Sequence, residues 1–224
     1  MKLLIFDSGP LINFSLNGML SVLDSLKENF EGRFIITEEV KKEVYERHLH
    51  ISQFEWGALK IGDLVTRRII EMPESIGISQ REIDLVTREL MDCANRSFRT
   101  NQHPITIVSD AEISCIALAK IAKEKGHDSM LVIDERTARL LCEDPKNIEK
   151  LMSQKLHTNV TMDPKCMNKF QNIKCIRSPE LAYVAYKKNL ITIKDARALD
   201  ALINATKFKG AAISWDEIKI LKKL

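Results

Sequence analysis

Two short apolar runs each end in an acid. Lys2-Leu3-Leu4-Ile5-Phe6 runs into Asp7, and Met130-Leu131-Val132-Ile133 runs into Asp134. Both runs have the length and composition of a buried strand, and Gly9 and Pro10 turn the chain directly after the first. In a parallel sheet, ligands bind beyond the carboxyl ends of the strands. Asp7 and Asp134 are therefore expected at one sheet edge. Two neighbouring ionised carboxylates repel, and a hard cation such as Mg²⁺ or Mn²⁺ with oxygen ligands relieves that repulsion. The structural alternative is that one of them only caps the helix that follows.

Helical carboxylates extend the set. Phe34-Ile35-Ile36 reads as a second strand, and Thr37 as the N-cap of a helix with Glu38 and Glu39 in its first turn. Glu43 lies one turn further on, with Glu38, Glu39 and Glu46 as rivals for any role. Ser109-Asp110-Ala111-Glu112 has the spacing of a capping box, in which Glu112 reaches back to the cap. The same helix start would set Glu112 beside the Asp pair, so both roles are open. Glu135 either adds a fifth acid or starts the next helix. Ser8 can order the turn or a metal-bound water. Arg136 can meet a phosphate, while Arg139 is expected to pair with the neighbouring acids.

Helices and strands must alternate to position these groups. Leu11 to Phe30 carries apolar residues at helical spacing, as do roughly 80–95, the run from Ser109 to Gly126, Thr137 to Cys142, Pro179 to about Asn189, and roughly 194–207. Lys174 to Ile176 is a further short strand, and Gly210 precedes a last strand or turn and a terminal helix. The pattern predicts an α/β fold with a central, mostly parallel sheet flanked by helices. One domain over 1–224 is expected. Residues 51–104 read as a helical insertion or lid, and the polar stretch 146–172 as partly mobile.

The chain has 224 residues, with 45% hydrophobic and 29% charged, which excludes global disorder, collagen and coiled coil. No apolar run approaches the ~18 residues of a membrane span. Asp7 comes too early for a signal-peptide core, so a cytoplasmic protein is expected. Cysteines 93, 115, 142, 166 and 175 form no CxxC pair, and free thiols are expected throughout. His48 and His50 have no partnering ligand cluster. The net charge of +3 conceals a division: 18 Lys and Arg face 24 Asp and Glu up to Pro145, and 16 face 7 from Lys146 onward. An acidic part joined to a basic part (146–224) is what a site needs if it collects metal ions and also holds a polyanion. Lys-rich solvated helices would give the same count.

The motifs together resemble those of PIN-domain proteins, the superfamily of VapC-type toxin ribonucleases and RNA-processing nucleases. The resemblance rests on LLIFDSGPLI, IITEEVKKEV, AEISCIALAKIAKEKG and LVIDERTARLL, in that order. Asp7, Glu43, Glu112 and Asp134 fall at the family's acidic positions, with Glu135 at a less regular fifth. The third acid is Glu where Asp is commoner. SPELAYVAYKKNLI and ARALDALINATKFKGAAIS are similar to the end of PIN branches described as predicted nucleic-acid-binding proteins. The resemblance implies a three-layer, Rossmann-like fold and a Mg²⁺- or Mn²⁺-dependent endoribonuclease. In it Asp7, Glu43, Glu112, Asp134 and Glu135 would hold the metal, and Ser8 and Arg136 would meet substrate. It also implies RNA as partner, a homodimer through helices at 11–30 or 80–95, and an antitoxin protein if the chain is a toxin of a toxin–antitoxin pair. Residues 51–104 and 146–172 exceed a compact PIN toxin. The rival readings are a catalytically inactive PIN-fold RNA-binding or assembly protein, and a phosphatase with an Asp nucleophile. The phosphatase needs a second Asp where Gly9 stands.

Overall fold

Apolar runs of four or five residues form the sheet, and longer amphipathic stretches cover it. The computed structural model describes residues 1–101 and 103–224, with Cys166 described by its backbone alone. β1 (Lys2–Phe6) is followed by α1 (Ser8–Leu16) and α2 (Ser21–Glu28). β2 (Gly32–Ile35) leads into α3 (Glu38–Lys41), which continues as a π turn (Lys42–Arg47) and a 3-10 turn (His48–His50). Next come α4 (Ser52–Thr66), β3 (Ile70–Glu71), α5 (Gln80–Ser97), β4 (Phe98–Thr100) and β5 (His103–Pro104). α6 (Asp110–Glu124), β6 (Asp128–Val132), α7 (Arg136–Glu143), α8 (Lys146–Leu156) and β7 (Val160–Met162) follow. A 3-10 segment (Pro164–Phe170), β8 (Lys174–Ile176), α9 (Ser178–Lys187), α10 (Ala198–Phe208) and α11 (Trp215–Leu221) complete the chain.

The main sheet runs β3-β2-β1-β6-β8, and every neighbouring pair is parallel. This is the expected α/β architecture, consistent with a three-layer Rossmann-like fold. Parallel strands covered on both faces need near-continuous apolar sequence. Ile5, Phe6, Phe34, Ile35, Leu131 and Val132 meet that need and are fully buried. Phe6 packs edge-to-face on Phe34 with ring centroids 5.4 Å apart, a favoured aromatic geometry. α6 is the central helix, with ten of its fifteen residues buried. Its run of small residues, Ala117, Ala119 and Ala122, lets it lie close to β1 and β6 while α5 packs along its other side.

Two segments differ from expectation. Residues 51–104 are not only helical: they supply β3 to the main sheet, and β4 and β5 to a second, antiparallel sheet ordered β5-β4-β7. β7 comes from 146–172, the stretch expected to be partly mobile. The two irregular-looking segments thus pair with each other, aided by Asp163 N–H donating to Ser97 O at 2.7 Å and a Lys169–Glu89 ion pair at 2.6 Å. Strands of two or three residues carry too little pattern to be read locally, and their partner here lies some sixty residues away. After Gly210 there is a turn and no strand, with Ala212 N–H donating to Asp134 O at 3.1 Å.

The thiol expectation also needs correction. Cys115, Cys142 and Cys175 are free, but Cys93 is disulfide-bonded. The expectation for the Cys166 thiol lies outside the described residues. Among the described residues no helix is long and apolar enough to cross a membrane.

The C-terminal helices are locked by one buried cation. Arg177 donates through Nε to Glu180 at 2.9 Å, through Nη1 to Ala212 O at 3.0 Å and through Nη1 to Glu217 at 2.7 Å, with a further short contact from Nη2 to Glu180. Burial pushes the Glu217 carboxyl up, but hydrogen bonds from Ser214 and the Arg177 guanidinium outweigh it and hold the pKa down to about 2. A depressed folded pKa adds stability above the unfolded value, and that stability is lost as pH falls through the folded one. Chemical denaturation should therefore show stability declining between about pH 4.5 and about pH 2, with less decline in Glu217→Gln. Arg177→Met should cost roughly 2–3 kcal/mol at pH 7. This is below the ~3–5 of a fully buried pair because Glu217 is partly exposed.

Candidate functional site

The order of the main sheet creates one special edge. The chain moves outward from β1 through β2 to β3 and then returns to β6 on the other side of β1. Such a reversal leaves a crevice at the carboxyl ends of the two central strands. The register pairs Ile5 with Ile35, Phe6 with Val132, and Val132 with Ile176. Extended one or two residues beyond the strands, the same register sets Asp7 beside Thr37 and Asp134 beside Ser178, with Asp134 one residue further along the edge than Asp7.

Asp7 is buried at the N-cap of α1, anchored by its N–H donating to Val132 O at 3.0 Å. Its Oδ1 is buried with no hydrogen-bond partner among the described residues. Burial pushes its pKa up to about 8, the Glu112 and Glu43 charges push the same way, and the N–H groups of Ser8 and Gly9 oppose them. Neither N–H makes a full capping bond to the carboxylate. This is an acid held where its charge is costly.

Glu112 caps its helix and also lies within the electrostatic reach of Asp7. Its Oε2 accepts from Ser109 N–H at 2.7 Å while Ser109 Oγ accepts from Glu112 N–H at 3.3 Å, which completes the capping box. Its pKa is nonetheless raised, first by burial and then by Glu135 and Glu43, against the pull of the Ser109 bonds. Glu43 sits in the π turn, half-buried, and acts electrostatically on both Asp7 and Glu112. A π turn inserts one residue into the helical repeat and re-aims the side chains beyond it, and such turns recur at functional sites. Glu135 is the N-cap of α7 and accepts from Ala138 N–H at 2.7 Å, so it too combines a structural role with a charge beside Glu112.

Asp134 is treated differently. Gly9 separates it from Asp7: a β-carbon on Gly9 would stand 3.6 Å from both Asp134 Cβ and Asp7 Oδ2. Both Asp134 oxygens are occupied. Oδ1 accepts from Ser178 N–H at 2.8 Å, and Oδ2 accepts from Ser178 Oγ at 2.6 Å and Asn13 Nδ2 at 3.1 Å. Burial raises its pKa, these bonds pull against the rise, and Glu180 adds to it. Asn13 Nδ2 also donates to Thr206 O at 2.8 Å and so ties the carboxylate to α10.

Thr37 and Ser114 form a buried hydroxyl pair at 2.7 Å, which holds the start of α3 to α6 beside Asp7. Sequence reading finds Thr37 only as a cap. It misses Asn13, Ser114 and Ser178, whose one available signal is a polar residue on an otherwise apolar helix face. Ser8 is buried at the start of α1, and Arg136 is exposed at the start of α7. Arg139 does not pair with Asp134 or Glu135. Its nearest acid is Glu143 of its own helix, at 3.7 Å, because α7 carries Arg139 one turn away from the sheet edge. Seven of the sixteen Lys and Arg of the basic C-terminal part pair with acids, namely Lys165, Lys169, Lys174, Arg177, Arg197, Lys219 and Lys222, and the other nine make no ion pair among the described residues.

Asp7, Glu43, Glu112 and Glu135 thus share one electrostatic field, with Asp134 alongside. Among the described residues no group of three or more His, Cys, Asp and Glu side chains is arranged to hold a metal ion. The donor set still fits a hard divalent cation: all candidate ligands are carboxylate oxygens, and the unpartnered Asp7 Oδ1 is the atom such a cation would satisfy. Asp134 has the least coordinating capacity left.

The raised pKa of Asp7 fixes the sign of the pH effect. Between the unfolded value of 3.8 and the folded value of about 8, the folded state holds a proton that the unfolded state has lost, so stability falls as pH rises through that window. Asp7→Asn removes the penalty. In EDTA the variant should melt above the parent at pH 8 and with it at pH 4, each kcal/mol relieved giving roughly 2–4 °C in a chain of this size. Scanning calorimetry at both pH values checks this. No family model, curated protein or solved structure matches the chain.

Proposed function

We propose that the chain is a metal-dependent endoribonuclease with a PIN-like arrangement of acids. The observation that carries this reading is the buried, unpartnered Asp7 carboxylate at the sheet's switch point, its pKa raised by burial and by Glu112 and Glu43. A purely structural acid gains nothing from that placement, whereas a cation-binding acid needs it. The motif order and the α/β sheet are compatible with it.

In this reading Asp7, Glu43 and Glu112 would hold Mg²⁺ or Mn²⁺, with Glu135 and Asp134 shaping the field. When bound, the ion lowers the pKa of a coordinated water and offsets charge on the phosphoryl transition state. The chain's own part is positioning. The β1–α1 turn fixes Asp7, the capping box fixes Glu112, and the Thr37–Ser114 pair fixes the helix that carries Glu43. Ser178 and Asn13 favour the ionised form of Asp134 and hold it in place. Arg136, exposed beside Glu135, would meet a phosphate oxygen. The biological setting in this reading is a toxin of a toxin–antitoxin pair or an RNA-processing enzyme.

The second reading is a PIN-like RNA-binding or assembly protein without catalysis. The observation in its favour is that Glu112, Asp134 and Glu135 already serve structural hydrogen bonds. Incubating a mixed single-stranded RNA pool with Mn²⁺, Mg²⁺ or EDTA separates the two. Cleavage is expected with either ion, none in EDTA, and a loss of at least about 100-fold in Asp7→Asn, as for removal of a group central to the chemistry. RNA left intact but bound equally by both proteins would support the second reading.

A further inference from the structure

A groove of about 800 Å³ opens beside the acids, between the π turn, α5 and the irregular segment before α6. Two helical stripes face each other across it. On α5 the stripe is Asp84, Thr87, Arg88, Met91 and Asn95, which recur on one face of the helix. Across from it lie Glu39, Lys42, Glu43 and Arg47, at the same periodicity. α5 turns its apolar stripe of Ile83, Leu90 and Ala94 inward, so the polar stripe is left to the groove. Glu43 belongs both to the groove and to the field around Asp7, and Ser109, the cap of Glu112, also lines the wall.

The charges in the groove are divided. Glu39 and Asp84 both accept from Gln80 Nε2, at 3.2 and 2.8 Å, which gathers these acids at one end. Glu43 and Asp110 stand at the end nearest Asp7 and α6. Lys42, Arg47 and Arg88 are exposed, line the groove and make no ion pair among the described residues. Thr87 Oγ1 and Asn95 Oδ1 are buried atoms without hydrogen-bond partners. Three uncommitted cations and two uncommitted hydrogen-bonding groups in one groove call for a ligand that is anionic and also carries polar edges. A single-stranded nucleic acid meets both requirements.

We propose that this groove seats the single-stranded RNA flanking the reacting phosphate. Lys42, Arg47 and Arg88 contact the backbone phosphates, and Thr87 and Asn95 contact a base edge. The proposal rests on the nuclease reading for the position of the reacting phosphate, but the groove can be tested without cleavage. It gives the 51–104 segment a function: α5 is the wall that a shorter connection between β3 and α6 would lack. It also moves the RNA contacts away from the Lys-rich C-terminal part.

The test is binding of a fluorescein-labelled single-stranded RNA 12-mer in EDTA, over a series of salt concentrations. It compares the parent chain, Arg47→Ala/Arg88→Ala, and a control, Lys165→Ala/Lys219→Ala, that removes two exposed cations elsewhere. Each lost phosphate contact lowers the slope of log affinity against log salt by roughly 0.7 for a single strand, so the groove variant should lose about 1.4 in slope and about tenfold in affinity. The control should match the parent. Asn95→Ala should alter preference among oligomers of different base composition while leaving the slope unchanged. If the groove variant binds with the parent's slope and affinity, or the control loses as much, the groove proposal is overturned. Reduced binding in the groove variant by a chain that cuts no RNA would uphold the groove and remove the nuclease reading. Thermal melting of each variant, expected within about 2 °C of the parent for surface changes, identifies loss through unfolding.

Discussion

The structure turns on the burial of one carboxylate without enough partners. Asp7 ends the first strand, lies under the start of α1, and faces Glu112 and Glu43 with Oδ1 unpaired. Desolvation and like charge both act against its ionised form, and the N–H groups of α1 compensate only in part. The elements that create this cost are also the most deeply built in the molecule: β1 at the centre of the sheet, α6 lying along it, and the buried Thr37–Ser114 pair beside them. A carboxyl whose ionised form is disfavoured, held by the core elements of a fold, is the arrangement expected of a site that binds a counter-charge.

The contrast with Asp134 sharpens the point. The two acids end neighbouring strands and are separated by Gly9, yet one is saturated and the other is not. Asp134 links β6, α1 and α9 and, through Asn13, reaches α10. Together with the nearby Arg177, it closes the C-terminal helices onto the sheet edge. One acid therefore assembles the edge, and the other is presented by it. Glu112 and Glu135 fall between, each capping a helix while adding charge to the cluster.

How much could be read from sequence depends on the range of the interactions involved. The strands ending at Asp7 and near Asp134, the capping box at Ser109 and Glu112, and the alternation that gives a parallel sheet are encoded within a few neighbouring residues. They appear in the structure where expected. The β4–β7 pairing is not encoded locally, since each strand has only three residues and neither has a distinctive pattern. The fate of each carboxylate is likewise non-local. Asp134 is filled by Asn13, 121 residues away, and Ser178, 44 residues away. The uneven charge along the chain pointed to the C-terminal part as the polyanion grip. Seven of the sixteen Lys and Arg there pair with acids, and the uncommitted cations that line the groove beside the acid cluster lie on the π turn and α5.

The most direct measurement is calorimetric titration of Mn²⁺ into the protein at pH 7.5, in buffers of differing ionisation enthalpy, for the parent and Asp7→Asn. With its pKa pushed up to about 8 in the absence of metal, Asp7 is mostly protonated at pH 7.5, so binding should release a large fraction of a proton per site, and Asp7→Asn should abolish both that release and the high-affinity binding. If the parent binds no Mn²⁺, or if Asp7→Asn binds it with the same affinity and proton release, the cluster at the switch point does not gather a cation and the central claim fails.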